Sequence, residues 1–99
     1  MNKLYLKKYN NLINSRKIVV IYFNSNECIN TNKIFLDFEK NNKKFILLER
    51  INVEENIELI KYLDLKCYPF FYIYKNGKLI DQILGTLDIE KILRQYLNT

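Results

Sequence analysis

Two residues of this chain carry side chains suited to nucleophilic or redox chemistry: Cys28 and Cys67, 39 positions apart. A thiol reacts as its thiolate, so what matters is whether each cysteine sits where negative charge is favoured. Cys28 follows the apolar run Lys17-Ile-Val-Val-Ile-Tyr-Phe23 after a short polar stretch, Asn24-Ser-Asn-Glu27. Beyond it, Ile34, Phe35 and Phe38 recur at helical spacing. The pattern predicts strand, loop and helix, with Cys28 at the helix start. Free N–H groups and positive potential at that place lower a thiol's pKa. Glu27, directly beside it, works in the opposite direction. A moderately reactive thiol is expected; the plainer reading is a partly buried cysteine without function. Cys67, two residues before Pro69, reads most simply as a half-buried loop residue. With no histidine in the chain and two separated thiols, no metal site is expected.

The 99 residues make one domain, 1–99, and leave no room for a second. Hydrophobic residues form 48% of the chain, with two Gly and one Pro, which excludes a disordered or collagen-like chain. Two cysteines are too few for a disulfide framework. No apolar run approaches the ~18–20 residues that cross a bilayer, so no membrane partner is expected. Met1 to Asn14 lacks the apolar stretch of a signal peptide, and a reducing, cytoplasmic setting is the expectation. The net charge of +5 raises nucleic acid as a partner. Against it, the lysines are spread along the chain, and the arginines that favour phosphate forks number three, Arg16, Arg50 and Arg94. Abundant Asn, Lys, Ile and Tyr point to A/T-rich codons as the source of the charge. No nucleic-acid partner is expected.

The elements that must position the thiols follow from periodicity. Leu4, Leu6, Tyr9, Leu12 and Ile13 predict an amphipathic first helix, with a short strand before or in place of its first turn as an alternative. Lys17 to Phe23 predicts a strand buried on both faces. Tyr22 within it reads as core packing, and its hydroxyl then requires a buried partner. Phe45 to Asn52 predicts a second buried strand. Glu54 to Leu63 predicts a helix with two acids in its first turn, burying Ile57, Ile60 and Leu63. Phe70 to Tyr74, Asn76-Gly77 and Lys78 to Leu84 predict a hairpin, because Asn-Gly between two β runs is a strong turn signal. After Gly85, Asp88 is expected to cap a last helix with Ile89, Ile92, Leu93 and Tyr96 on one face. Two β–α–β crossovers and a hairpin make an α/β fold: a mixed sheet of four strands, or five, with helices on both faces.

In this order and spacing the sequence resembles thioredoxins from about Lys17 to Leu97. Cys28 matches the family's first active-site cysteine, Asn52-Val53-Glu54 its strand-end segment, and Tyr68-Pro69-Phe70 its cis-proline loop. Lys75-Asn76-Gly77-Lys78 matches its hairpin, and Gly85 the glycine after its last strand. The departures fall on the chemistry. Where the family has Trp-Cys-Gly-Pro-Cys, this chain has Glu27-Cys28-Ile29-Asn30-Thr31. Thr31 replaces the second cysteine, and Tyr22 stands where the family has a buried aspartate thought to deprotonate it.

The resemblance implies a thioredoxin fold and a redox protein exchanging thiols with protein or glutathione disulfides through Cys28. A threonine hydroxyl forms no S–S bond, so the resolving half of a dithiol cycle is lost. Either glutathione, as co-substrate, or Cys67, which the fold brings to the same surface, would have to finish the cycle. A direct Cys28–Cys67 bond requires Cα atoms within roughly 7 Å. Thr31 either assists Cys28 or fills space. Glu27, Ile29, Asn30, Tyr68 and Pro69 would line the groove, with the Tyr68 backbone pairing with an extended peptide segment by β-addition. The second reading is a non-catalytic thioredoxin-fold module that binds extended peptides at this cis-proline groove. Apart from glutathione no cofactor is implied. A monomer is expected, with an exposed Cys67 as the point where oxidation would link two copies.

Overall fold

The computed structural model describes residues 3–25, 32–33, 35–37, 40, 46–67, 69–84 and 95. Lys3–Ile13 form α1, Ile18–Asn24 β1, Leu47–Asn52 β2, Ile57–Leu63 α2, Phe70–Lys75 β3 and Lys78–Leu84 β4. Residues 32, 33, 35–37 and 40, between β1 and β2, are helical, as is residue 95. The strands make one sheet in the order β2-β1-β3-β4. β1 and β2 run parallel, while β1–β3 and β3–β4 are antiparallel. No fifth strand occurs among the described residues. Residues 34, 38, 39, 41 and 42 of the expected first crossover helix, Gly85, and the Asp88-capped helix apart from residue 95 fall outside the described residues.

β1 is the spine of the molecule, buried at every position. A strand turns successive side chains to opposite faces, and both faces here are covered. Ile18, Val20 and Tyr22 pack with Phe35, Ile46, Leu48, Phe71 and Ile73 on one face. Val19, Ile21 and Phe23 pack on the other with Tyr9 and Ile13 of α1, Leu59 of α2, and Val53, Tyr72 and Tyr74. Helical residues therefore cover both faces, as the continuous apolar run implied. At the end of α1 the Ser15 amide and hydroxyl both donate to the Leu12 carbonyl, at 3.1 and 2.6 Å, and Asn14 Nδ2 donates to the Asn10 carbonyl at 2.7 Å.

Two expectations are corrected. β2 is not buried throughout: of its six residues Leu48 is buried, and Arg50 is exposed. Among the described strands it pairs on one side, with β1. The helix after it starts at Ile57 instead of Glu54. Asn52 Oδ1 accepts the amides of Glu54 and Glu55 at 2.8 and 3.1 Å, which holds those residues in a turn of the kind asparagine favours. The later start rotates the inward face. Leu59 is buried, Ile60 and Leu63 pack partly against the core, and Ile57 is 57% exposed. Asp64, at φ 56, ends the helix in the left-handed region, with its amide on the Lys61 carbonyl at 3.1 Å.

The hairpin forms where Asn76-Gly77 predicted it, with both residues at positive φ, 52 and 80, as a two-residue primed turn demands. The Asn76 amide donates to the Lys17 carbonyl at 2.9 Å and ties the turn to the start of β1. A Cβ on Gly77 would run into the Asn14 side chain. Gly77→Ala should therefore cost about 1–2 kcal/mol for the left-handed backbone, and slightly more as Asn14 moves. Urea denaturation checks this; an unchanged midpoint would mean the turn relaxes freely.

Candidate functional site

The C-terminal end of β1 departs from the apolar pattern of the strand. Asn24 and Ser25, read from the sequence as loop, are 7% and 1% exposed, and Asn24 is the last residue of β1. Antiparallel pairing of Phe23 with Phe70 brings the next residues outward, Asn24 and Pro69, to the same end of the sheet. Parallel pairing sets Asn24 beside Asn52, and the Val53 amide donates to the Asn24 carbonyl at 2.8 Å.

Asn32, at the beginning of the described helical residues, joins this end of β1. Its Oδ1 accepts the Tyr22 hydroxyl at 2.6 Å and Asn24 Nδ2 at 3.0 Å. Its own Nδ2 donates to the Ser25 carbonyl at 3.4 Å. Asn24 Oδ1 is buried with no hydrogen-bond donor among the described residues. Tyr22 is fully buried, its ring stacked on Phe71 (centroids 4.6 Å, interplanar 9°) and tilted against Phe35 at 4.9 Å. The partner that its hydroxyl required is Asn32, which is itself half-buried. Burying a phenol without such a partner costs on the order of 1–3 kcal/mol.

Of the residues expected at the site, Glu27, Cys28, Ile29, Asn30, Thr31 and Tyr68 lie outside the described residues. Pro69 is half-buried just before β3, beside the end of β1, and Cys67, expected to be half-buried, instead carries an exposed free thiol. Sequence reasoning missed Asn24, Ser25 and Asn32. Two asparagines bracketing Cys28 were the available signal, but nothing local says that they touch. A cavity of about 310 Å³ lies elsewhere, on the α1 and α2 side of the sheet, among Lys8, Tyr9, Leu12, Arg50, Ile51 and Leu59.

A parallel strand–helix–strand unit, followed by an antiparallel hairpin whose first strand starts just after a proline, is the frame of the thioredoxin fold. Solved structures agree. A thioredoxin from Plasmodium falciparum superposes with a TM-score of 0.76 at 22% identity, covering 93% of this chain and 90% of that one. The thioredoxin of Malassezia sympodialis gives the same TM-score at 20% identity, over 93% and 83% of the two chains. At the level of sequence, the family described as Thioredoxin matches residues 1–98. The thioredoxin of Ictalurus punctatus is 31% identical over 86 residues, 83% of this chain and 78% of that protein. That of Coprinus comatus is 30% identical over 84 residues, 81% and 79% of the two. The chain belongs to the thioredoxin family of redox proteins.

Proposed function

We propose that the chain is a monothiol thioredoxin, exchanging with protein or glutathione disulfides through Cys28 as its single nucleophile. The family match over residues 1–98 supports this reading, together with the sequence itself, which has Cys28 and, three positions on, Thr31 where the resemblance expects a second cysteine. The Cys28 thiolate attacks one sulfur of a substrate disulfide, forms a mixed disulfide and expels the other sulfur as thiolate. A glutathione thiolate then attacks the Cys28 sulfur and releases the substrate as a thiol. A second glutathione frees Cys28 and leaves as glutathione disulfide. In total, one substrate disulfide and two glutathiones give two substrate thiols and one glutathione disulfide. Cys67, exposed and two residues from Pro69, is the alternative resolving thiol. Pro69 and the Tyr68 backbone would hold the substrate chain, with Glu27, Ile29 and Asn30 beside it. A reducing, cytoplasmic setting suits a cycle drawing on glutathione.

Tyr22 also favours a second reading. The place of the family's buried acid is filled by a stacked, neutral ring, which suits a module that binds extended peptides and no longer turns over. Intact mass after incubation with oxidised glutathione separates the two, using wild type, Cys28→Ser and Cys67→Ser. The expected result is one glutathione adduct, lost only in Cys28→Ser. A loss of two hydrogens that either substitution abolishes would assign resolution to Cys67. Folded protein that takes up nothing at neutral pH would sink the redox reading and leave the binding module.

A further inference from the structure

The turn between β3 and β4 carries a reactive pair that the redox reading leaves unused. Asn76-Gly77 is the one Asn-Gly pair in the chain; every other asparagine is followed by a residue with a Cβ. A backbone nitrogen can attack the side-chain carbonyl of the asparagine before it, and the missing Cβ of glycine leaves that nitrogen open to approach. Asn76 is exposed, so water reaches the site. Charge favours the attack as well. Lys75 and Lys78 face each other across the ladder, and the Asn76 amide rests on the Lys17 carbonyl at 2.9 Å. All three lysines are exposed around the pair. The attacking nitrogen must shed its proton, and nearby cations favour the anion that results. The fold works in the opposite direction. Asn76 is held at φ 52 by its tied amide, and Gly77 lies against the Asn14 side chain. Ring closure requires rotation about the Asn76–Gly77 link out of this turn, so it waits on local opening of the hairpin.

We propose that Asn76 is this chain's site of spontaneous deamidation, with water as co-reactant and the hairpin turn as the brake on its rate. The Gly77 nitrogen bonds to Asn76 Cγ, the Cγ–Nδ2 bond breaks, and ammonia leaves carrying the amide proton. Water then opens the resulting succinimide at either of its carbonyls. One opening gives aspartate at position 76; the other gives isoaspartate, whose main chain runs through the former side chain. No electrons change hands. Either product sets a carboxylate beside Lys17, Lys75 and Lys78 and lowers the net charge by one. Aspartate tolerates the left-handed backbone, so the turn survives that outcome. Isoaspartate adds a main-chain atom to a turn whose length fixes the hairpin register, and so loosens β4 from β3. The site stands apart from the thiol chemistry and holds whether or not Cys28 turns over.

The test holds the full chain folded at mildly alkaline pH, samples it over weeks, and separates and weighs its peptides. The peptide carrying Asn76 should lose its amide several times faster than any other asparagine peptide. It should appear as two products of equal mass, aspartyl and isoaspartyl. Another asparagine converting first would overturn the proposal, and so would aspartate alone, which direct hydrolysis gives. A second arm repeats the incubation in guanidinium chloride, where the turn is absent. Conversion should be faster there than in the folded chain; equal rates would mean that the turn is no brake. Gly77→Ala is compared with wild type in the same denaturant, where its effect on the turn plays no part. Its Cβ should slow conversion severalfold, and an unchanged rate would exclude ring closure through that nitrogen.

Discussion

Phe71→Ala is expected to destabilise the protein by about 3–5 kcal/mol, the largest effect of any single truncation considered. Phe71 is fully buried, stacks on Tyr22 and sits 6.1 Å from the Phe35 ring. Removing it empties the centre of one face of the sheet, where β1 and β3 pair through Tyr22 and Phe71. The neighbours are strand residues fixed by their ladders, so the hole cannot close cheaply. A domain of this size commonly has only about 5–15 kcal/mol in hand. With about 4–8 °C lost per kcal/mol, the melting temperature should fall on the order of 15–30 °C. Circular dichroism melting checks this, and a fall of only a few degrees would mean that the aromatic cluster repacks.

The second large effect is an alkaline one. Tyr9 and Tyr74 are buried with their hydroxyls 2.6 Å apart, and their rings meet edge-on at 6.1 Å. Burial, then the hydrogen bond to Tyr74 and the nearby Tyr74 and Tyr72 phenols, pushes Tyr9 far above the ordinary phenol range. Burial also raises Tyr74, with the Tyr9 hydrogen bond opposing it. These folded-state values lie above those of the unfolded chain, near ~10. The stabilisation is therefore complete below pH ~10 and is lost as the pH climbs above it, because the unfolded chain then releases protons that the native state retains. Each such tyrosine steepens the loss by about 1.4 kcal/mol per pH unit. Tyr9→Phe should cost about 1 kcal/mol at neutral pH through the broken hydrogen bond. It should also flatten the limb between pH 10 and 11.5 by roughly one proton's worth. Urea titrations at several pH values measure both; an alkaline limb as steep as wild type would show that Tyr9 ionises without unfolding.

How far the sequence revealed the site depends on the range of each interaction. The hairpin was readable because its cause lies in two adjacent residues: Asn76 and Gly77 adopt the positive φ that few other pairs tolerate. The strand around Val20 was readable because seven consecutive positions carry one message, burial on both faces. The start of α2 was not, because Asn52 Oδ1 takes the Glu54 and Glu55 amides and outweighs the pull of two acids toward a helix start. β2 looked like β1 in composition, yet its burial is set by which strands flank it, and periodicity carries no information about neighbours.

The sequence by itself determined the family, the order of the described strands and helices, and the residue types that stand at Tyr22, Cys28 and Thr31. Those properties are local or collinear: residue types, their spacing and their turns. Only the tertiary structure decided that the Tyr22 hydroxyl ends on Asn32, that Asn24 and Ser25 are buried, and that Pro69 comes to the same sheet end. The contacts behind them join residues well apart in the chain, Asn24 with Asn32 at 8 positions and Phe23 with Phe70 at 47. They exist because the parallel and antiparallel registers of one sheet bring separate strand ends together. A polar side chain then becomes part of a site through what it meets there.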